Sequence, residues 1–120
     1  MASTQNITTI WHNPRCAKSR ETLKILTDAG KNIQVVEYLK HAPSKEDLQK
    51  ILALLKKSAP EILRKKEPAF KELGLHLGQF SDEELIEVMI DNPELIERPI
   101  VIHGQKAVIA RPPEEVLSLF

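Results

Sequence analysis

Ile7-Thr8-Thr9-Ile10-Trp11-His12-Asn13-Pro14-Arg15-Cys16-Ala17-Lys18-Ser19-Arg20 passes from a β-rich run to a helical one within a few residues. Ile7–Trp11 combines β-branched and aromatic side chains and reads as a strand. Pro14 breaks it. The spacing that follows predicts a helix from about Cys16 to Ala29, with Leu23, Leu26 and Ala29 toward the core and Gly30 closing its C-terminal end. Ile33-Gln34-Val35-Val36-Glu37-Tyr38-Leu39 reads as a second strand. Strand, helix and strand in this order form a βαβ unit, so the two strands run parallel.

The junction between strand and helix holds Cys16, the one cysteine of the chain. A thiol at a helix N-terminus faces unpaired backbone N–H groups and the positive end of the helix dipole. Both favour thiolate, the reactive form. An ordinary thiol has a pKa of about 8.5, and a partly buried helix terminus contributes up to about 2 kcal/mol, where about 1.36 kcal/mol corresponds to one pKa unit. The helix alone can therefore make thiolate a large fraction at neutral pH. Arg15, Lys18 and Arg20 crowd the same turn and are expected to add to the effect. The bland alternative is a buried, inert cysteine, a common fate for this residue type.

Downstream, Ser44 with Asp47 opens a helix bearing Leu48, Ile51, Leu52 and Leu55 on one face. Short helical turns are expected from Pro60 to Leu63 and from Pro68 to Leu73, with a loop bracketed by Gly74 and Gly78. Ser81 with Glu84 forms a capping box before Leu85, Ile86, Met89 and Ile90, and Asn92-Pro93 ends that helix. Pro99–Ile102 and Lys106–Ala110 flank His103-Gly104-Gln105 and read as an antiparallel hairpin. Pro112-Pro113 suits the first turn of a closing helix.

The order βαβ, helices, ββα is that of an α/β, thioredoxin-like fold: a four-stranded mixed sheet in a single domain, residues 1–120, with a helical insertion over 44–91. Two features agree with it. The cysteine lies at the first strand-to-helix junction. Pro99 immediately precedes the third strand, where that fold carries a cis proline beside the thiol, so a cis Arg98–Pro99 bond is expected.

Composition narrows the function classes. Lys+Arg and Asp+Glu both number 17 in 120 residues, so no global field attracts nucleic acid or an anionic membrane. No apolar run reaches the roughly 18 residues of a membrane span, and the N-terminal Met1–Asn6 lacks the pattern of an export signal. One cysteine gives no internal disulfide and fits a reducing, cytoplasmic setting. No zinc-ligand spacing is present, so no metal is expected. The neutral composition suggests a monomer. His41, His76 and His103 fall in expected loops and turns and read as solvated; Trp11 and Tyr38 end their strands and read as core or rim residues.

Arg98 precedes the third strand and Arg111 follows the fourth, so the hairpin sets them at one edge. Like charges side by side are costly unless an anion sits between them. Guanidinium forks suit tetrahedral oxyanions better than lysines do. A two-electron reduction by one cysteine needs a second sulfur, which must come from outside the chain.

His12–Arg20, Leu63-Arg64-Lys65-Lys66-Glu67-Pro68, Glu97-Arg98-Pro99-Ile100-Val101 and Arg111-Pro112 together resemble the glutaredoxin-coupled arsenate reductases, in order, from about Ile7 to Leu119. The resemblance implies a thioredoxin-like fold with a helical insertion. It implies that Cys16 is the nucleophile, that His12 helps lower its pKa, and that Ser19 is the hydroxyl position three residues on. Arg64, Arg98 and Arg111 would bind the oxyanion and its arsenic adducts. It implies arsenate as substrate, with glutathione and then glutaredoxin as the external thiols and no bound cofactor. The chain stops soon after Arg111-Pro112 and adds Arg15 before the cysteine, as in a shorter branch of the family. Two alternatives stand beside this reading. One is a glutathione-dependent thiol–disulfide oxidoreductase. The other is a non-enzymatic regulatory adaptor on the same fold, whose Cys-x-x-Cys switch is absent here because the second position is Ser19.

Overall fold

Alternation along Ile7–Trp11 buries Thr8 and Ile10 completely, and this strand, β1, is paired on both sides, inside the sheet. The computed structural model describes residues 7–120; the expectation about Met1–Asn6 lies outside the described residues. Helix α1 (Ala17–Asp28) follows β1 and leads to β2 (Asn32–Val36), which pairs with β1 in parallel. β3 (Ile100–His103) pairs antiparallel with the other side of β1, and β4 (Lys106–Ile109) antiparallel with β3. The order β2-β1-β3-β4 gives the expected four-stranded mixed sheet.

The chain forms two compact units, one of residues up to His41 with Arg98–Phe120, the other of Ala42–Glu97. In the first, α1 and the C-terminal segment pack on the sheet face that carries Ile10 and Val101, a directly opposed pair. Leu26, Ala110, Val116 and Leu119 complete this core. α1 ends in a Schellman motif: Gly30, at φ +71°, donates to the Thr27 carbonyl and Lys31 to that of Leu26. The β3–β4 hairpin turns through Gly104-Gln105, with Gly104 at φ +61° in the position glycine takes in type II′ turns.

In the second unit, α2 (Lys45–Leu55) and α4 (Asp82–Asp91) both start with reciprocal capping boxes, Ser44 with Asp47 and Ser81 with Glu84. α3 (Pro68–Glu72) lies between them in the chain. α4 packs against α2 and against the 3-10 turn Ala59–Ile62, burying Leu48, Ile51, Ile62 and Met89. An antiparallel bridge, Leu63 with Ile96, closes the unit's two chain ends, flanked by bonds from Arg64 N–H to the Leu95 carbonyl and from Glu97 N–H to that of Ile62.

Several expectations are corrected. Ala29 is exposed; the buried row of α1 is Ser19, Thr22 and Leu26, with Leu23 half-buried. The two polar residues fit inside because their hydroxyls are bonded, Thr22 donating to the Lys18 carbonyl at 2.8 Å. β2 stops at Val36, so Tyr38 lies beyond its strand, buried and stacked on Trp11. A short 3-10 turn, Leu75–Leu77, stands between Gly74 and Gly78, and another, Pro93–Leu95, follows Asn92. His103 ends β3 rather than entering the turn; it is half-buried and hydrogen-bonded to the directly opposed Thr8 at 3.0 Å. The closing element, Pro113–Leu119, is a 3-10 helix. Its buried residues, Pro113, Val116 and Leu119, recur every third position. Three residues per turn stacks that row on one face, which an α-helix would smear around its axis. The bond Arg98–Pro99 is cis as expected, and Arg111–Pro112 is cis as well.

Leu26, with no exposure at all, sits at the centre of the first unit's core. Leu26→Ala is expected to cost about 2–5 kcal/mol. Urea denaturation should show a lowered midpoint at unchanged slope, whereas Ala29→Ser should leave the midpoint nearly unmoved.

Candidate active site

The loop from His12 to Cys16 is held at every step. His12 N–H donates to the Val36 carbonyl at 2.8 Å, prolonging the β1–β2 ladder by one rung. Asn13 then turns the chain: its side-chain Oδ1 accepts from Arg15 N–H at 3.0 Å and its carbonyl from Cys16 N–H at 2.9 Å. An Asn-Pro step is a common turn initiator because the asparagine side chain bonds its own backbone two residues on. Arg20 donates to the Pro14 carbonyl at 2.9 Å. Cys16 is the N-cap of α1, in extended conformation, and its carbonyl accepts the first helical bond from Arg20 N–H.

Ser19 ties the loop to the helix. Its Oγ lies 2.6 Å from His12 Nδ1 and accepts from Asn13 N–H at 3.0 Å. Burial holds the His12 imidazole below its ordinary pKa of 6.5, against the opposing pull of Glu37 and with a smaller push from Arg20. His12 is therefore neutral at pH 7. In that state one ring nitrogen carries a hydrogen, and Nδ1 and the Ser19 hydroxyl share one hydrogen bond whose direction follows the tautomer.

Cys16 retains 8% exposure. Burial pushes its thiol up, but the Ser19 N–H, the Arg98 guanidinium and the Lys18 N–H outweigh this, and the net shift is downward. These donors face the sulfur without closing a side-chain cap hydrogen bond. The sequence expectation of a favoured thiolate thus agrees with the structure, with a different cation responsible. Arg15, Lys18 and Arg20 do not act on the sulfur through their side chains; Arg20 is engaged with Pro14 and the acting charge is Arg98, 82 residues along the chain.

Arg98 Nε and Nη1 are buried and have no hydrogen-bond partner. Buried donors without acceptors cost free energy, so an acceptor brought to this spot is favoured. Arg111 meets Arg98 as the hairpin argument required, but through the backbone: Arg111 Nε donates to the Arg98 carbonyl at 2.8 Å. Arg64 belongs to the other compact unit, where its guanidinium pairs with the Glu67 carboxylate and reaches toward the Glu94 carbonyl. It directly follows Leu63, the C-cap of the 3-10 turn Ala59–Ile62 and the partner of Ile96 in the bridge. His41 and His76 are exposed, as expected. Among the described residues no group of three or more His, Cys, Asp or Glu side chains is placed to hold a metal ion, and no helix is long and apolar enough to cross a membrane.

The sequence model of the ArsC family matches residues 11–119, nearly the whole chain. This chain is a member of the ArsC family. It is 50% identical over 113 residues to the uncharacterized protein YfgD of Escherichia coli K12, covering 92% of this chain and 93% of that one. It is 40% identical over 111 residues to the arsenate reductase of Acidiphilium multivorum, covering 92% and 79%. The solved structure of arsenate reductase from Vibrio cholerae matches with a TM-score of 0.92 at 43% identity, over 95% of this chain and 98% of that one. The fold is the thioredoxin-like fold of these ArsC proteins.

Two residues of this candidate site escaped the sequence reading. Asn13 organises the loop, and the Asn-Pro step was the available signal. Glu37 approaches His12 from beyond β2, and nothing in its local sequence marks it.

Iodoacetamide alkylation of Cys16 followed against pH should give an apparent thiol pKa below the ordinary value. Arg98→Ala should raise it, whereas Lys18→Ala, which keeps the backbone N–H, should not. His12 yields a second expectation. Its folded pKa is depressed, so the unfolded chain takes up a proton first as pH falls. Its contribution to stability is intact above 6.5 and is lost below it. Thermal melts from pH 8 to pH 5 should show this decline, shallower in His12→Asn.

Proposed function

We propose that this ArsC-family chain reduces arsenate to arsenite, with the Cys16 thiolate as nucleophile and external thiols as reductant. The observation that carries the reading is the pair of unpartnered, buried donors on Arg98 beside a cysteine whose pKa is lowered. Identity of 40% to an arsenate reductase over nearly the whole chain supports it.

Arsenate docks on the Arg98 donors, with Arg111 as a further guanidinium group of the same unit. Thiolate sulfur attacks arsenic, an S–As bond forms, and one arsenate oxygen takes up protons and leaves as water. The arginines offset the charge that develops in this step. Reduction from As(V) to As(III) takes two electrons. They come from two sulfurs, Cys16 and an external thiol, which end joined as a disulfide while arsenite departs. A further thiol then exchanges with that disulfide and frees Cys16. Glutathione fills the first role and glutaredoxin the second. The protein acts as a monomer in the cytoplasm, where thiols are kept reduced. Neutral His12 acts by positioning Ser19, whose N–H faces the sulfur, rather than as a cation.

Purified protein with arsenate, glutathione, glutaredoxin and an NADPH regenerating system should consume NADPH in proportion to arsenite formed. Cys16→Ser should abolish turnover, and Arg98→Ala should lower kcat by roughly 10²–10³, the effect of removing a donor from a developing charge. Wild type as inert as Cys16→Ser would sink the assignment.

A further inference from the structure

The second unit holds a pocket of about 250 Å³ that the reaction at Cys16 does not use. Successive segments between Pro60 and Leu85 wall it: the end of the 3-10 turn Ala59–Ile62, α3, the 3-10 turn Leu75–Leu77 and the start of α4. Leu63, Leu75 and Leu85 are buried and form its floor. Phe70 and Phe80, two of the chain's three phenylalanines, are half-buried at its sides. Lys65 and His76 are exposed and stand at its mouth, and no acidic residue lines it.

A hollow walled by leucine and phenylalanine gains from being filled by an apolar group, because wall atoms that face a void forfeit their dispersion contacts. An apolar pocket with a few convergent polar groups is the usual form of a small-molecule site. Size limits the occupant. A cavity of about 150 Å³ is enough for a benzene ring. The larger volume here takes one such ring with a short arm.

The mouth sets the charge of that arm. Lys65 makes no ion pair among the described residues. Glu67, the acidic residue nearest to it in the chain, is taken by Arg64. His76 adds a ring N–H donor, which imidazole carries in either protonation state. One cation and one further donor match a carboxylate, whose two oxygens can accept from both.

We propose that this pocket is a binding site for a small aromatic carboxylate. The ring seats between Phe70 and Phe80 over the leucine floor, and Lys65 and His76 hold the carboxylate. Ring-on-ring contacts add to the gain from burial. The site does not involve Cys16 and stands whether or not the chain reduces arsenate.

Phenylacetate is the probe, titrated into the full nitrogen-15-labelled chain and followed by backbone amide shifts. Phenylacetamide keeps its shape without the charge; acetate keeps the charge without the ring. For a ligand this small the expected dissociation constant is on the order of 1 mM. The saturating shifts should centre on residues 60–85. Phenylacetamide should bind roughly tenfold more weakly, the loss of about one charge-assisted contact. Acetate should bind more weakly still. In Lys65→Met the preference for the acid over the amide should vanish. Lys65 is exposed, so this variant should fold, which its amide spectrum checks. Phenylacetate shifts that never saturate, or that centre on Arg98 and the cysteine loop, overturn the proposal. So do acetate or phenylacetamide binding as tightly as phenylacetate in wild type, and a Lys65→Met chain that keeps the preference.

Discussion

The hydroxyl of Ser19 joins three things that must keep a fixed relation: the end of β1, the turn at Asn13, and the first turn of α1. It is the buried partner of His12 Nδ1 and the acceptor for Asn13 N–H, while its own backbone N–H faces the Cys16 sulfur. Hydrogen bonds of this kind contribute modestly when made, yet a buried partner left without one is penalised more heavily. Removing the hydroxyl would strand a ring nitrogen and a backbone donor together. The helix N-terminus would then no longer be registered against the strand that delivers the cysteine.

Around that anchor, the cysteine is set by a contest between opposed effects. Desolvation favours the neutral thiol. Two helix N–H groups and one guanidinium favour the anion and win. The winning charge arrives from the far side of the chain by way of the β1–β3 pairing, which brings Arg98 to the strand that ends at the cysteine loop. Sheet order therefore does electrostatic work: with β3 anywhere but beside β1, Arg98 would not face the sulfur. The same arginine keeps two buried donors without a hydrogen-bond partner, so the group that lowers the thiol pKa also has donors to spare.

Much of this was legible in the residues, and the exceptions have physical causes. Strand, helix and hairpin boundaries follow from β-branched runs, capping boxes and glycine positions, all local signals. The buried face of α1 was misjudged because hydrophobic periodicity counts Ser19 and Thr22 as polar; their hydroxyls are spent on internal bonds, so they bury at little cost. The 3-10 form of Pro113–Leu119 turns on which of two nearly equal helix pitches the core can seat, which only the assembled sheet decides. Nearby cations were credited with activating Cys16 because sequence shows chain neighbours and hides spatial ones. Arg98 and Arg111 were placed together correctly, since hairpin pairing is itself a rule relating distant positions, but their contact through a carbonyl is a matter of side-chain path.

The threefold row of Pro113, Val116 and Leu119 carries one last implication. Each buried residue in it lies directly beneath the next, so the outward positions Glu114, Glu115, Leu117 and Ser118 are free to vary in chemistry. Length is another matter. A single codon inserted between Pro113 and Leu119 would swing everything after it by a third of a turn and lift Leu119 off the sheet. The segment should drift in composition among descendants while its count of residues stays frozen.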